Sequence, residues 1–159
     1  MLRRGSVVEG LFFDLSVYDT VRARRLHGRS VCAVVRLPGS IRDRIHLVCV
    51  PMTDGDEAAT IVNALQRHAT VVVQKSLAEG FGLTVTEAMW KSRPVVASAV
   101  GGIVDQVVSG QTGWLVNPED LIVCGNRIRA LLDDPATAST MGAAAHERAV
   151  SEFLADRHL

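Results

Sequence analysis

The chain has 159 residues, 48% apolar and 21% charged, with Lys+Arg 17 balanced by Asp+Glu 17. This is the composition of one globular domain or most of one. It excludes a disordered tail, a collagen-like repeat and a strongly basic nucleic-acid binder. The longest run free of Asp, Glu, Lys and Arg, Gln106–Pro118, has 13 residues, whereas a spanning helix needs about 20, so no membrane segment is expected. The neutral total hides an asymmetry. Residues 1–50 hold nine Arg, no Lys and four acids, and residues 51–159 hold eight Lys+Arg and thirteen acids. Residues 1–36 show weak periodicity and are left as an unassigned basic segment. A nucleic-acid arm would interleave aromatics with those arginines. The Arg-only composition also fits a stretch foreign to the fold, from an alternative reading frame or a misassigned start. Glu9 and Asp14 interrupt the apolar stretch after Arg3 and Arg4, so no signal peptide is expected. Cys32, Cys49 and Cys124 are odd in number and far apart, which fits a reducing compartment such as the cytoplasm. The five histidines show no metal-ligand spacing.

From Ile45 the pattern becomes regular, and residues 37–159 are read as the domain. Ile45–Val50, closed by Pro51, is a buried-strand candidate. Asp54 to Glu57 supply acids for a helix start, and Ala58, Ile61, Val62, Leu65 and Ala69 follow at helical spacing. Thr70–Val73 is a β-branched run of strand length. Lys75 to Gly82 is a polar, glycine-containing loop, and Leu83–Lys91 reads as a helix. Pro94–Ala99 is a further apolar run ended by Gly101-Gly102; Ile103–Val108 reads as a short helix and Gly113–Val116 as a strand. Asn117-Pro118-Glu119-Asp120 has the residues of a helix start, with a cap and a proline in the first turn. Asp134-Pro135 opens a last helix carrying Met141, Ala145, Ala149 and Phe153. Strands without polar alternation between helices imply an α/β fold whose parallel sheet is covered on both faces. In such sheets ligands bind outside the carboxyl ends of the strands, which directs attention to the loop after Thr70–Val73.

That loop runs Gln74-Lys75-Ser76-Leu77-Ala78-Glu79-Gly80-Phe81-Gly82-Leu83-Thr84-Val85-Thr86-Glu87. Gly80 and Gly82 let backbone approach a ligand. The amides of Phe81, Gly82 and Leu83, at a helix N-terminus, form an anion site suited to phosphate. Glu79 and Glu87 flank those amides, and carboxylates accept hydrogen bonds from hydroxyls. The set suits a nucleotide sugar, with Glu79 on the sugar, Glu87 on the ribose and Lys75 available to phosphate. Each residue also has a structural reading. Thr84-x-x-Glu87 fits a capping box, Glu79 a solvated loop acid, Lys75 an exposed lysine and Trp90 packing. Gly101-Gly102 fits either amides lent to a ligand or a strand end. His68 and His146 read as surface or boundary residues.

Glu79-Gly80-Phe81-Gly82-Leu83, Glu87-Ala88-Met89, Arg93-Pro94-Val95-Val96-Ala97, Gly101-Gly102-Ile103, Gly110 and Gly113 follow one another in this order. The string resembles the donor-binding domain of retaining glycosyltransferases with the GT-B fold, whose E-x7-E motif Glu79 and Glu87 match. Val72-Val73-Gln74-Lys75-Ser76 and Glu87-Ala88-Met89-Trp90-Lys91 are more narrowly similar to trehalose synthases. The resemblance covers roughly Leu37 to Leu159 and implies a Rossmann-like parallel sheet flanked by helices, the C-terminal half of a GT-B fold, incomplete at its N-terminus. It also implies retaining transfer of glucose from a nucleoside diphosphate glucose to a sugar acceptor, glucose. By the same resemblance Glu79 is the catalytic-site glutamate near the transferred sugar. Phe81, Gly82 and Leu83 carry the backbone that meets sugar and diphosphate, Glu87 binds ribose, and Lys75, Gly80 and Thr84 are counted with them as substrate-binding. Ser92 departs from the glycine usual before Arg-Pro, at small cost.

A GT-B enzyme places its acceptor site mostly on an N-terminal domain that this chain has no room for, so the chain is expected to be a fragment. The alternatives are a non-catalytic donor-binding module that needs a separate N-terminal domain or forms a homo-oligomer, a non-functional remnant, and a trehalose phosphorylase-like enzyme. No cofactor or metal is implied, since the helix N-terminus can serve the diphosphate. No nucleic-acid or membrane partner is expected.

Overall fold

A computed structural model describes residues 36–46 and 55–153, together with the backbone of 11–13. The chain divides into two compact units, Ser16–Ile61 and Met1–Leu15 with Val62–Leu159. In the first, Pro38 precedes a single helical turn, α1 (Gly39–Arg42), whose Ile41 and Arg42 amides donate to the Pro38 carbonyl. The division falls inside α2 (Gly55–His68), which carries Asp56 and Glu57 in its first turn and Arg67 and His68 in its last. The two acids and the Arg67 guanidinium complement the helix dipole.

The second unit holds a four-stranded parallel sheet in the order β1-β2-β3-β4: β1 (Leu11–Phe13), β2 (Val71–Gln74), β3 (Val95–Ser98) and β4 (Gly113–Val116). Val72 pairs with Phe12 and Val95, and Val96 pairs with Trp114. The helices are α3 (Leu83–Trp90), α4 (Ile103–Gln106), α5 (Leu121–Asp133) and α6 (Pro135–Glu152). Alternate strand residues enter two cores. Val72, Val95 and Ala97 pack with Val85 and Met89 of α3, and Val71, Val73 and Val96 pack with Leu131 of α5 and Met141 of α6. β2 and β3 are buried throughout, which is why neither shows polar alternation. Burying one such valine or methionine stabilises the fold by about 1.5–3 kcal/mol.

The expected elements between Ala58 and Glu152 form with ends displaced by a residue or two. At Asn117–Asp120 the expected cap is corrected. Asn117 Oδ1 accepts from Glu119 N–H at 2.9 Å, closing a turn, and Asp120 caps α5 by accepting from Val123 N–H at 2.9 Å. Asn117 folds onto the amide two residues on, as Asx residues readily do, and this delays the helix. Asp134 caps α6 with Pro135 in its first turn, accepting from Thr137 N–H at 3.0 Å. Ile45 and His46 are irregular, and residues 47–50 of the expected strand lie outside the described residues, as do Asp54, Cys32 and Cys49. β1 lies inside the segment left unassigned in the sequence.

Candidate functional site

The carboxyl end of β2 delivers the loop. Gln74, the last strand residue, is buried, and its Nε2 donates to Ser76 Oγ at 3.0 Å and to Glu79 Oε2 at 3.3 Å. Ser76 Oγ donates to the same Glu79 oxygen at 3.4 Å, and Gly80 N–H donates to Glu79 Oε1 at 3.0 Å. Both oxygens of Glu79 are therefore held, and the carboxylate has one orientation instead of the free rotation of a solvated loop acid. Lys75 Nζ is turned to the carbonyl of Pro118 in the β4–α5 turn. It lies near Cys124, whose thiol burial pushes up while the lysine charge pulls it down.

Gly82 opens α3 in the left-handed conformation, φ +82°, and a Cβ there would stand 2.7 Å from Ile103 Cγ1. Only glycine meets both demands. The Gly82 carbonyl accepts from Val85 and Thr86 N–H, so the amides of Gly82 and Leu83 stand at the N-terminal end of the helix, before its ladder begins. Thr84 is the second residue of the helix and not its cap, which removes the capping-box reading of Glu87. Instead, Glu87 Oε2 accepts from Nε2 of the fully buried Gln66 on α2 at 3.4 Å. Gln66 Oε1 in turn accepts from Lys91. Burial lowers the Lys91 pKa, Glu87 opposes that shift and Arg67 adds to it.

Gly101-Gly102 does more than end a strand. Gly102 N–H donates to Gly80 O at 2.7 Å, and a Cβ on Gly101 would stand 1.8 Å from Glu79 O. Backbone lies on backbone here and supports the loop from below. Trp90 packs on His146, with centroids 5.0 Å apart, and His146 Nδ1 lies 2.6 Å from Trp90 O, as a packing role requires.

The structure thus places Lys75, Glu79, Gly80, Phe81 and Gly82 on the β2–α3 connection and Leu83, Thr84 and Glu87 in the first two turns of α3. Gln74 and Gln66 were missed in the sequence. Their signal was a polar residue closing an apolar strand and another among the apolar positions of α2. The concavity of about 270 Å³ lined by Gly110, Gln111, Ala136, Thr137, Thr140 and Met141 lies at the opposite, amino end of β4 and holds no charged side chain. The sequence has an Asp-x-Asp triplet, Asp54-Gly55-Asp56, of which Asp56 is in the first turn of α2. Among the described residues no group of three His, Cys, Asp or Glu is set to hold a metal ion, and no helix is long and apolar enough to cross a membrane.

The sequence model of the family described as "Glycosyl transferases group 1" matches residues 50–148. A trehalose synthase of Pyrococcus horikoshii is 48% identical over 98 residues, which is 62% of this chain and 23% of that protein. The chain therefore spans under a quarter of that relative's length. Sucrose-phosphate synthase from Thermosynechococcus elongatus superposes with a TM-score of 0.70 at 33% identity, covering 92% of this chain and 35% of that one. Anabaena HepE, solved with UDP-glucose, superposes at 0.67 with 20% identity over 91% of this chain and 36% of that one, a likeness of fold.

Proposed function

The chain belongs to the group 1 glycosyl transferases, and on that premise we propose that residues 37–159 bind a nucleoside diphosphate glucose for retaining glucosyl transfer to a sugar acceptor, as in trehalose synthases. Glu79 accepts hydrogen bonds from hydroxyls of the transferred glucose. The amides of Phe81, Gly82 and Leu83 meet the diphosphate, with Thr84 beside them and Lys75 able to join on leaving the Pro118 carbonyl, and Glu87 binds the ribose. The observation that carries this reading is the Glu79 carboxylate, held at both oxygens beside a left-handed Gly82 that opens α3. Donors and acceptors held before substrate arrives need no reorganisation during reaction. A helix N-terminus favours the negative charge that grows on the departing diphosphate. The chain spans 23% of that trehalose synthase, and in this reading the acceptor site and the remaining positioning groups lie on the N-terminal domain that the resemblance implies.

Thermal unfolding of the purified chain with millimolar ADP-glucose tests the reading. At 100 times Kd a ligand bound only by the folded chain adds about 2.7 kcal/mol, a rise of roughly 5–10 °C for a domain of this size. Glu87→Ala should lose that rise. A cooperative melt indifferent to ADP-, UDP- and GDP-glucose alike would remove the assignment.

A further inference from the structure

Gln106 closes α4 and is fully buried, and its Nε2 donates to the carbonyl of Phe81. A carbonyl only accepts, so the amide orientation is settled. Its other end, Oε1, is buried and has no partner among the described residues. A leucine or methionine would fill the same space without an unmet acceptor, so packing does not account for an amide here. What the amide accomplishes is at the Phe81–Gly82 peptide. That peptide is planar and trans, with its C=O and N–H pointing in opposite directions.

We propose that Gln106 is a positioning residue of the donor site: by holding the Phe81 carbonyl toward α4 it turns the Gly82 N–H outward, to where a bound diphosphate would lie. The inference rests on the donor-binding reading above. Gly82 itself is buried between Phe81 and Leu83, whose side chains are 49% and 63% exposed. Ile103, one helical turn before Gln106 on the same face of α4, closes the space beside Gly82. One short helix thus sets both the conformation of Gly82 and the direction of its amide. The end of α6 pins that helix. Arg148 donates through Nε to Gln106 O and through Nη2 to Asp105 O, each at 2.7 Å. The same guanidinium lies 5.7 Å from the ring of Phe153, which meets Phe81 edge-on with centroids 6.2 Å apart.

The test titrates ADP into the full wild-type chain, Gln106→Met and Gln106→Glu, following heat and the NMR signals of the Phe81 carbonyl carbon and the Gly82 amide. Gln106→Met is expected to shift the Phe81 carbonyl carbon without nucleotide, to weaken ADP about tenfold as one charge-assisted hydrogen bond is lost, and to abolish the ADP-induced shift of the Gly82 amide proton. Gln106→Glu should match it at pH 8. Near pH 5, where a buried carboxyl is protonated and again donates to Phe81, it should recover toward wild type measured at the same pH. The recovery must include the Phe81 carbonyl carbon signal, because relief of a buried charge alone restores folding without returning that signal to its wild-type position, and this comparison stands even if Gln106→Met does not fold. A folded Gln106→Met chain with an unmoved Phe81 carbonyl carbon and wild-type ADP affinity overturns the proposal. A wild-type chain that ignores ADP while the Phe81 signal still moves in Gln106→Met overturns the donor-binding reading instead.

Discussion

Gly101→Ala tests whether backbone contact holds the β2–α3 loop in place. The added Cβ would stand 1.8 Å from Glu79 O and 2.8 Å from its carbonyl carbon. Neither atom is the end of a flexible side chain, so the two loops must part by about 1.5 Å to reach ordinary contact. Three costs combine. Left-handed backbone at φ +51° costs a non-glycine residue about 1–2 kcal/mol. Overpacking costs about 1–3 kcal/mol. Loss of the 2.7 Å bond from Gly102 N–H to Gly80 O costs about 1 kcal/mol. A central total of about 4.5 kcal/mol lowers Tm by roughly 13 °C for a domain of this size. Gly80→Ala is the matched control: its Cβ meets nothing within 4 Å, so its stability should stay within about 0.5 kcal/mol of wild type. Circular dichroism melts of the three chains, checked by urea titration, decide the matter. Gly101→Ala melting within about 2 °C of both others would refute the close approach and, with it, the support given to Glu79.

Other substitutions probe the helix ends and packing. Ser92 is left-handed, φ +56°, and closes α3 by donating to Met89 O while Arg93 N–H donates to Ala88 O. Ser92→Gly should therefore raise stability by about 1 kcal/mol, read as a Tm gain of roughly 2–4 °C. Gly142→Ala and Gly125→Ala should have opposite signs. The first sets a Cβ 2.2 Å from Ser92 O and should lose about 1–3 kcal/mol, whereas the second meets open space on α5 and should gain about 0.5–1 kcal/mol in urea unfolding. Asp134 is held below its ordinary 3.8 by hydrogen bonds from the Thr137 backbone and side chain. A depressed folded pKa means that its stabilisation is present above the unfolded value and is lost as pH falls through the folded one. Asp134→Asn keeps the cap but removes the titration, so its stability should fall less steeply than wild type below about pH 4. Parallel curves in acid titrations of urea midpoints would refute this assignment.

Order and type of the elements from α2 onward, the parallel pairing of β2, β3 and β4 and the loop proposed to carry the site were legible in the sequence because their causes are local. A β-branched run such as Val71–Val73 is fit only for a buried strand, and Asp134-Pro135 caps and starts a helix from within its own turn. Contacts across the sheet were decided by tertiary structure alone. Gly101 meets Glu79, Gln106 meets Phe81 and Gln66 meets Glu87 only because β2 and β3 run parallel in a set register with α3 packed on them. These pairs lie some 20–25 residues apart, beyond the reach of local propensity. Even the local competition at Asn117–Asp120 went to a turn first and a cap second. The sequence by itself determined which groups stand at the carboxyl end of β2, because side-chain chemistry and backbone propensity belong to each residue. Tertiary structure decided how those groups are held, because a carboxylate or a peptide plane takes one orientation only when distant atoms supply its hydrogen bonds and exclude its alternatives.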